Sequence, residues 1–418
     1  MPQRSIRRLL LPALASLLFA AFAGSAASAD PAAAGAGGSL TPGAGAPADP
    51  STPPVLSDGF GLTQVTRSDP SLNSPYIPAA TATDFTITVT TPEVANDPSS
   101  VGHHIRIVLP ADYYSSPGKR YPVLYLLHGS PGDPCDYFNS SLFPQFNAVK
   151  NTSGMITVIP DGGARSWYSN WRDQSTQAGS QNWENFEIDQ VIPFIDANLR
   201  TVADRQHRAI AGISMGGFGA LHLAQLHPDL FGQVASLSGD DDLSRNEMVL
   251  REVVVASLID GYGALPVLTS GIVPGVSTWS ACHPTNDPYQ PAVSSDALFG
   301  SPYPLSITPP YNDSLWNAAD PTEHASAFAG MGVSLYVGNG NGPSGDVREW
   351  WMESSSQHLA AALTSAGQTP YFVDYGGGAG WGRCDGGHDS TCWDQDLADL
   401  LPRLQRTFDA TSATHRSG

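Results

Sequence analysis

The sequence carries little positive charge. Of its 418 residues only 20 are Lys or Arg, against 39 Asp or Glu, so the formal net charge is −19. An excess of negative charge repels nucleic-acid phosphates and anionic lipid surfaces. We therefore expect no nucleic-acid partner, whereas the charge sets no limit on a neutral or acyl substrate. With 41% apolar residues, the chain suits one large α/β domain or two ordinary ones.

The apolar run near the N-terminus is too short for a membrane span. This run, LLLPALASLLFAAFA, falls below the roughly 20 residues that a transmembrane helix needs. Basic residues precede it and the small residues Ala27-Ser28-Ala29 follow it, which is typical of a secretory signal peptide. We predict a signal peptide over residues 1–29 and a secreted protein, extracellular or associated with the cell envelope, without a permanent membrane anchor.

Cysteine is scarce as well. An exported protein meets an oxidising environment, so the four cysteines are expected to pair, and four cysteines allow three connectivities. Cys384 and Cys392 are close in sequence, which favours a 384–392 bond together with Cys135–Cys282. The acidic residues and His388 between Cys384 and Cys392 also resemble a metal cluster, but zinc sites usually have tighter Cys or His pairs. We predict no metal and no cofactor.

Large side chains are almost absent from the segment after the signal peptide. Residues 30–58 consist mainly of Ala, Gly, Pro, Ser and Thr, which bury too little surface to offset the entropy of ordering. We predict a disordered linker there, a catalytic domain over 59–411 and a disordered tail over 412–418. The regular pattern fails over about 241–313, which we interpret as an insertion. It is either a lid or pocket wall over the sheet, or an ordinary elaborated loop.

Strand and helix patterns alternate through the main domain. Strands are predicted at 84–89, 103–110, 121–129, 155–163, 207–212, 233–239, 333–340 and 369–376, and helices at 185–199, 215–228, 348–367 and 393–409. This alternation implies crossover connections and a mostly parallel sheet covered on both faces. The fold class is therefore α/β, and an antiparallel start followed by the strand–helix rhythm resembles the α/β-hydrolase fold.

The stretch GISMG places Ser214 between Gly212 and Gly216. This pattern alone is weak evidence in a glycine-rich chain. However, a predicted strand ends just before the serine and a predicted helix begins just after it, which is the order that a nucleophile elbow requires. We therefore predict that Ser214 is a catalytic nucleophile.

Acyl transfer through a serine requires a base and an acid that orients the base. In this fold they follow the serine in the order acid, histidine. His388 alone among the eleven histidines lies in a glycine-rich loop between the last predicted strand and the last helix, so we predict it to be the base. Asp346, which ends the loop after the strand at 333–338, is the predicted acid; Glu349 and Asp374 are its rivals.

Two backbone N–H groups are expected to stabilise the oxyanion. One belongs to Met215, directly after the nucleophile, and the other lies in the loop HGSPGD (128–133) after an earlier strand. We predict that Ser130 supplies the second group through its amide.

Three stretches resemble a known family: KRYPVLYLLHGSPGD, DRQHRAIAGISMGGFGALHLAQLHPDLFG and GGHDSTCW. They look like the putative-esterase (esterase D-like) branch of α/β-hydrolases, which includes S-formylglutathione hydrolases, feruloyl esterase domains and antigen 85 mycolyltransferases. The resemblance spans roughly 84–410, with a gap over the insertion. It implies a triad of Ser214, Asp346 and His388, with Ser130 and Met215 as the oxyanion donors.

The stretches VIPDGGARSWYSNW and AADPTEHASAF look more like the secreted mycolyltransferases. We therefore expect Trp167 and His128 to contact the substrate. Where those transferases carry an acidic residue and an arginine that hold trehalose, this chain has His128 and Pro131. That difference argues against trehalose as the acceptor.

The sequence as a whole predicts a secreted serine esterase that hydrolyses carboxylic esters and acts as a monomer. Its substrate would be a small-molecule, lipid or polysaccharide ester. An acyltransferase of the mycolyltransferase type, acting on a sugar or glycerol hydroxyl, remains the alternative. A non-catalytic, surface-associated binding protein on the same fold is the alternative from another class, and the complete triad argues against it.

Overall fold

The computed structural model describes residues 51–65, 80–96, 102–130, 132, 134, 154–245, 247–260, 292–301 and 313–417. The predicted signal peptide and much of the predicted insertion lie outside the described residues. Cys135 and Cys282 lie outside them too, so their predicted bond stays a prediction.

The described strands form one nine-stranded sheet in the order β1-β2-β3-β5-β4-β6-β7-β8-β9. They are β1 (Thr63–Gln64), β2 (Asp84–Thr90), β3 (His103–Val108), β4 (Val123–Leu127), β5 (Ile156–Pro160), β6 (Arg208–Ile213), β7 (Gln233–Leu237), β8 (Gly332–Gly338) and β9 (Tyr371–Gly376). Strands β1, β2, β3 and β5 pair antiparallel in that order, and the pairs from β5 through β4 to β9 are parallel. The antiparallel start and parallel remainder agree with the sequence prediction.

Helices connect the parallel strands. They are α1 (Trp183–Asn185), α2 (Ile192–Asn198), α3 (Met215–Leu226), α4 (Met248–Asp260), α5 (Ser314–Ala319), α6 (Val347–Ser365) and α7 (Ser390–Ser417). The helix predicted at 185–199 is interrupted, because a π-helical stretch, Phe186–Val191, joins α1 to α2. Pro193, which has no backbone N–H to donate, lies in the first turn of α2.

The central strands are buried on both faces because their side chains alternate between two hydrophobic clusters. In β4, Val123, Tyr125 and Leu127 pack into the cluster that includes α3 and α6. Leu124 and Leu126 pack into the opposite cluster, which includes α7. A continuous apolar run is what a parallel strand covered on both faces requires. Within the described ranges, no helix is both long and apolar enough to cross a membrane.

The predicted disordered linker (30–58) and disordered tail (412–418) both include residues that belong to the folded domain. Leu56 is 7% exposed and belongs to the core, and the Ser57 N–H donates to Asn198 Oδ1 at 2.7 Å. The Tyr114 hydroxyl donates to the Thr52 carbonyl at 2.9 Å. At the other end, α7 continues to Ser417, so residues 412–417 are helical. Composition did not reveal these contacts because they depend on partners that are distant in sequence.

Leu56→Ala is expected to lower the free energy of unfolding by about 2–5 kcal/mol, because it removes a buried side chain from the core. Val55→Ala is the matched control, since Val55 is 96% exposed, and should change it by less than about 0.5 kcal/mol. Chemical denaturation of both variants measures the effect. Equal stability of the two variants would show that this segment does not pack on the domain.

Candidate active site

The serine lies at a strained turn between strand and helix. Strand β6 ends at Ile213, Ser214 has φ 52° and ψ −124°, and α3 begins at Met215. A non-glycine residue in this conformation costs energy and marks functional turns. A Cβ on Gly212 would lie 2.1 Å from the Gly216 carbonyl oxygen, and one on Gly216 would lie 2.5 Å from the Leu127 carbonyl oxygen. The pattern GISMG therefore has a steric cause, because the turn leaves no room for a side chain at either glycine.

His388 faces the serine. Its Nε2 lies 3.0 Å from Ser214 Oγ, and the residue is 6% exposed. The loop that carries it lies between β9 and α7 and is closed by a Cys384–Cys392 disulfide. This bond agrees with the predicted pairing, and it leaves neither cysteine as a free thiolate to bind a metal. The edge of the Trp393 ring packs on the imidazole, with the ring centroids 4.9 Å apart.

Glu349 contacts the other nitrogen of the imidazole. Its Oε2 lies 2.8 Å from His388 Nδ1, and the residue is completely buried in the first turn of α6. Its Oε1 accepts hydrogen bonds from the Ser238 hydroxyl at 2.8 Å and from the Gly338 N–H at 2.6 Å. The carboxylate therefore has a fixed orientation toward the ring.

The prediction that Asp346 orients the imidazole is wrong. Asp346 is the N-cap of α6, and its Oδ2 accepts from the backbone N–H of His388 at 3.0 Å, not from the ring. Arg348 donates to both of its oxygens. Burial alone raises the pKa of the Asp346 carboxyl, but the hydrogen bonds and charge of Arg348, together with His388, hold that pKa well below its usual range. Asp374, the other rival, is exposed and lies near Gln357.

The loop after β4 lies against the serine, as predicted. A Cβ on Gly129 would be 3.1 Å from Ser214 Cβ. Ser130 and Met215 both line the cleft beside the nucleophile, and the Ser130 hydroxyl donates to the Ala164 carbonyl at 2.5 Å. Because the first four N–H groups of a helix have no partner within it, the Met215 amide at the start of α3 suits an oxyanion donor.

His128 supports the loop after β4, and its predicted contact with the substrate stays a prediction. It is completely buried, its Nε2 accepts from the Gly162 N–H at 2.8 Å, and its Nδ1 lies 3.0 Å from the Gly129 carbonyl oxygen. Trp167, by contrast, lines the cleft. Its indole N–H donates to the Ser257 hydroxyl of α4 at 3.0 Å, which holds its position.

An open cleft leads to the serine. Its lining residues are Ser130, Trp167, Ser214, Met215, Asp240, Val253, Arg348, Trp351, Met352 and His388. Val253 belongs to α4, so the described part of the predicted insertion forms a wall of the cleft. The sequence analysis did not identify Asp240, although its position in the loop that follows the carboxyl end of the parallel strand β7 is typical of a site residue.

Comparisons with known proteins show the family of the chain. Residues 102–404 match the model of the protein family described as Putative esterase. Esterase Rv1288 of Mycobacterium tuberculosis is 38% identical over 190 residues, which are 46% of this chain and 37% of that protein. Diacylglycerol acyltransferase/mycolyltransferase Ag85B of Mycobacterium leprae is 28% identical over 361 residues, 84% of this chain and 93% of that protein.

Among solved structures, MPT51 of Mycobacterium tuberculosis aligns with a TM-score of 0.52 at 20% identity, over 76% of this chain and 97% of that one. The chain spans only 37% of the length of the mycobacterial esterase and 42% of the MPT51/MPB51 antigen of Mycobacterium bovis. The sheet topology and the serine at the strand–helix turn define an α/β-hydrolase. The chain belongs to the esterase family whose model it matches, which confirms the resemblance seen in its sequence.

Gly216→Ala is expected to lower both stability and activity. Alanine is a better helix former than glycine by about 1 kcal/mol, but forcing a methyl group into a packed site costs about 1–3 kcal/mol. The backbone of Leu127 and His128 lies within 2.6 Å of the added carbon and carries the oxyanion loop. Thermal unfolding and hydrolysis of 4-nitrophenyl butyrate measure the effect. Gly118→Ala is the control, because nothing lies within 4 Å of a Cβ there; the same behaviour in both variants would contradict the steric argument.

Proposed function

We propose that the protein is a serine esterase with a Ser214–His388–Glu349 triad. The observation that carries this proposal is the continuous chain of hydrogen-bond contacts from serine to imidazole to carboxylate, at 3.0 and 2.8 Å. The last group of this chain of contacts is the carboxylate of Glu349, which is completely buried, as the orienting acid of a serine triad is. Membership of an esterase family supports the same reaction class.

In this mechanism His388 Nε2 takes the proton from Ser214 Oγ as the oxygen attacks the ester carbonyl. Glu349 stabilises the imidazolium and keeps Nδ1 protonated. The amides of Met215 and Ser130 stabilise the oxyanion, aided by the N-terminus of α3. His388 then protonates the leaving alcohol, and an acyl group remains on Ser214. Water, activated by the same histidine, releases the acid and regenerates the serine.

Acyl transfer is the second candidate. It shares every step up to the acyl-enzyme and differs only because a sugar or glycerol hydroxyl replaces water. The similarity over 84% of the chain to a protein named as a diacylglycerol acyltransferase/mycolyltransferase favours it. Product analysis with and without glycerol or trehalose separates the two reactions.

We also propose that the protein is secreted. The basic, apolar and small-residue segments of 1–29 support export, and the Cys384–Cys392 bond suits an oxidising compartment. The monomeric state stays a prediction.

Ser214→Ala is expected to lower kcat for 4-nitrophenyl butyrate by about 10⁴-fold or more, because no acyl-enzyme can form. Ser130→Ala is the control, since a serine of the same cleft is changed while the amide proposed to act is kept; its loss should stay below about 10-fold. Thermal unfolding checks that both variants fold. Wild-type turnover by Ser214→Ala would refute the mechanism, and an inactive wild type would favour the non-catalytic alternative.

Glu349→Gln is expected to lower kcat/KM by about 10³- to 10⁴-fold, because an amide does not stabilise the imidazolium or select the required tautomer. Asp346→Asn is the isosteric control. Asparagine still accepts from the His388 N–H and still caps a helix, so the loss should stay below about 10-fold. Steady-state kinetics on one ester measures both variants. A larger effect at Asp346 than at Glu349 would reverse the assignment of the acid.

A further inference from the structure

Asp240 is a buried carboxylic acid in the cleft with an unused oxygen. It lies three residues after the end of β7, lines the cleft with Ser214 and Met215, and is 1% exposed. Its Oδ1 is buried and has no hydrogen-bond partner in the part of the chain that the structure describes. Such groups are rare in folded proteins because an unpaired buried acceptor costs about 1–3 kcal/mol. Among the described residues, Glu187, Asp320 and Asp396 also have a buried carboxyl oxygen without a partner, but of these four acids Asp240 alone lines the cleft.

The two acids that follow, Asp241 and Asp242, have partners for both of their carboxyl oxygens. Each carboxyl oxygen of Asp241 accepts a hydrogen bond from a serine hydroxyl, Ser236 at 2.6 Å and Ser356 at 2.8 Å. One oxygen of Asp242 accepts from the Ser244 N–H at 2.8 Å, and the other lies 2.8 Å from His358 Nδ1. These two residues hold loops together. Asp240 differs from them because it borders the cleft and keeps an oxygen available.

The carboxyl of Asp240 is mostly uncharged at neutral pH. Burial, and next the negative charge of Asp241, raise the pKa of Asp240 to about 8. A protonated carboxyl offers one O–H donor and one carbonyl acceptor. An uncharged group also does not repel the negative charge that develops near Ser214 during acyl transfer.

We propose that Asp240 is a specificity residue that binds a hydroxyl group of the substrate close to the scissile ester. This inference rests on the proposed esterase or acyltransferase function. A hydroxyl matches the site because it also carries one donor and one acceptor, whereas an alkyl group leaves the buried carboxyl unpaired. The facing walls contribute Trp167, Val253 and Met352, so the polar contact is local and distinguishes otherwise similar esters.

The hydroxyl can belong to the acyl group or to the alcohol, and paired substrates distinguish the two. The first pair is 4-nitrophenyl 3-hydroxybutyrate and 4-nitrophenyl butyrate; the second is glycerol monobutyrate and propyl butyrate. We expect kcat/KM to favour the hydroxylated member of one pair by about 10- to 100-fold, as for a site that hydrogen-bonds a substrate hydroxyl. No preference in either pair of the wild-type enzyme overturns the proposal and leaves the esterase function intact.

Variants at Asp240 test whether this residue causes the preference for the hydroxylated ester. In Asp240→Leu, the kcat/KM of the hydroxylated ester should be close to that of its partner in the favoured pair. Asp240→Asn should keep most of the preference, because an amide both donates and accepts hydrogen bonds. Val253→Ala is the matched control: it alters the same cleft without changing its hydrogen-bonding groups, so both members of a pair should change alike. An unchanged ratio in Asp240→Leu overturns the assignment. If Asp240→Leu does not fold, loss of the ratio in Asp240→Asn would also contradict it.

Binding provides a readout that does not depend on turnover. Calorimetric titration of Ser214→Ala with the same four esters should show tighter binding of the hydroxylated member of one pair, by about 10-fold or more. The preference should disappear in the double variant Ser214→Ala/Asp240→Leu. A wild type that turns over none of the esters would refute the proposed function and, with it, the basis of this inference; equal binding within both pairs by an active enzyme would refute the inference alone.

Discussion

The buried carboxylate of Glu349 joins the parts of the protein that make up its site. A buried charge is costly unless hydrogen bonds compensate it. Here the compensation comes from the ends of two strands and from a loop: Ser238 after β7, Gly338 at the end of β8, and the His388 imidazole. The same contacts that make the charge tolerable therefore align the base with the nucleophile. The Glu349 carboxylate therefore matters both for the stability of the fold and for the proposed catalysis.

The sheet determines where this group has to lie. Strands β6, β7 and β8 are parallel neighbours, so their carboxyl ends meet at one edge. The nucleophile follows β6, Ser238 and Asp240 follow β7, and the loop that leads to Glu349 follows β8. Each side chain is carried by a separate connection, so the connections can be changed while the sheet that positions them is kept.

Local patterns allowed much of this to be predicted from the sequence. The elbow at Ser214 and the position of His388 depend on strand–loop–helix order, which a sequence shows directly. The acid was misplaced because Asp346 and Glu349 are three residues apart, within one turn of the start of α6, and only the direction of that helix decides which one meets the ring. Asp240 shows the same limit, since its role depends on packing against residues distant in sequence.

The disulfide between Cys384 and Cys392 has a consequence for where the enzyme can be complete. The bond closes the short segment that carries His388, while the nucleophile and Glu349 are held by the sheet and by α6. Noncovalent contacts position all three members of the proposed triad, and the loop that carries His388 has the disulfide as an additional, covalent constraint. Because such bonds persist outside the reducing cytosol, the compartment becomes part of the assembly of the catalytic site. Under the proposed secretion of the chain, formation of this bond and completion of the proposed site would belong to one maturation step.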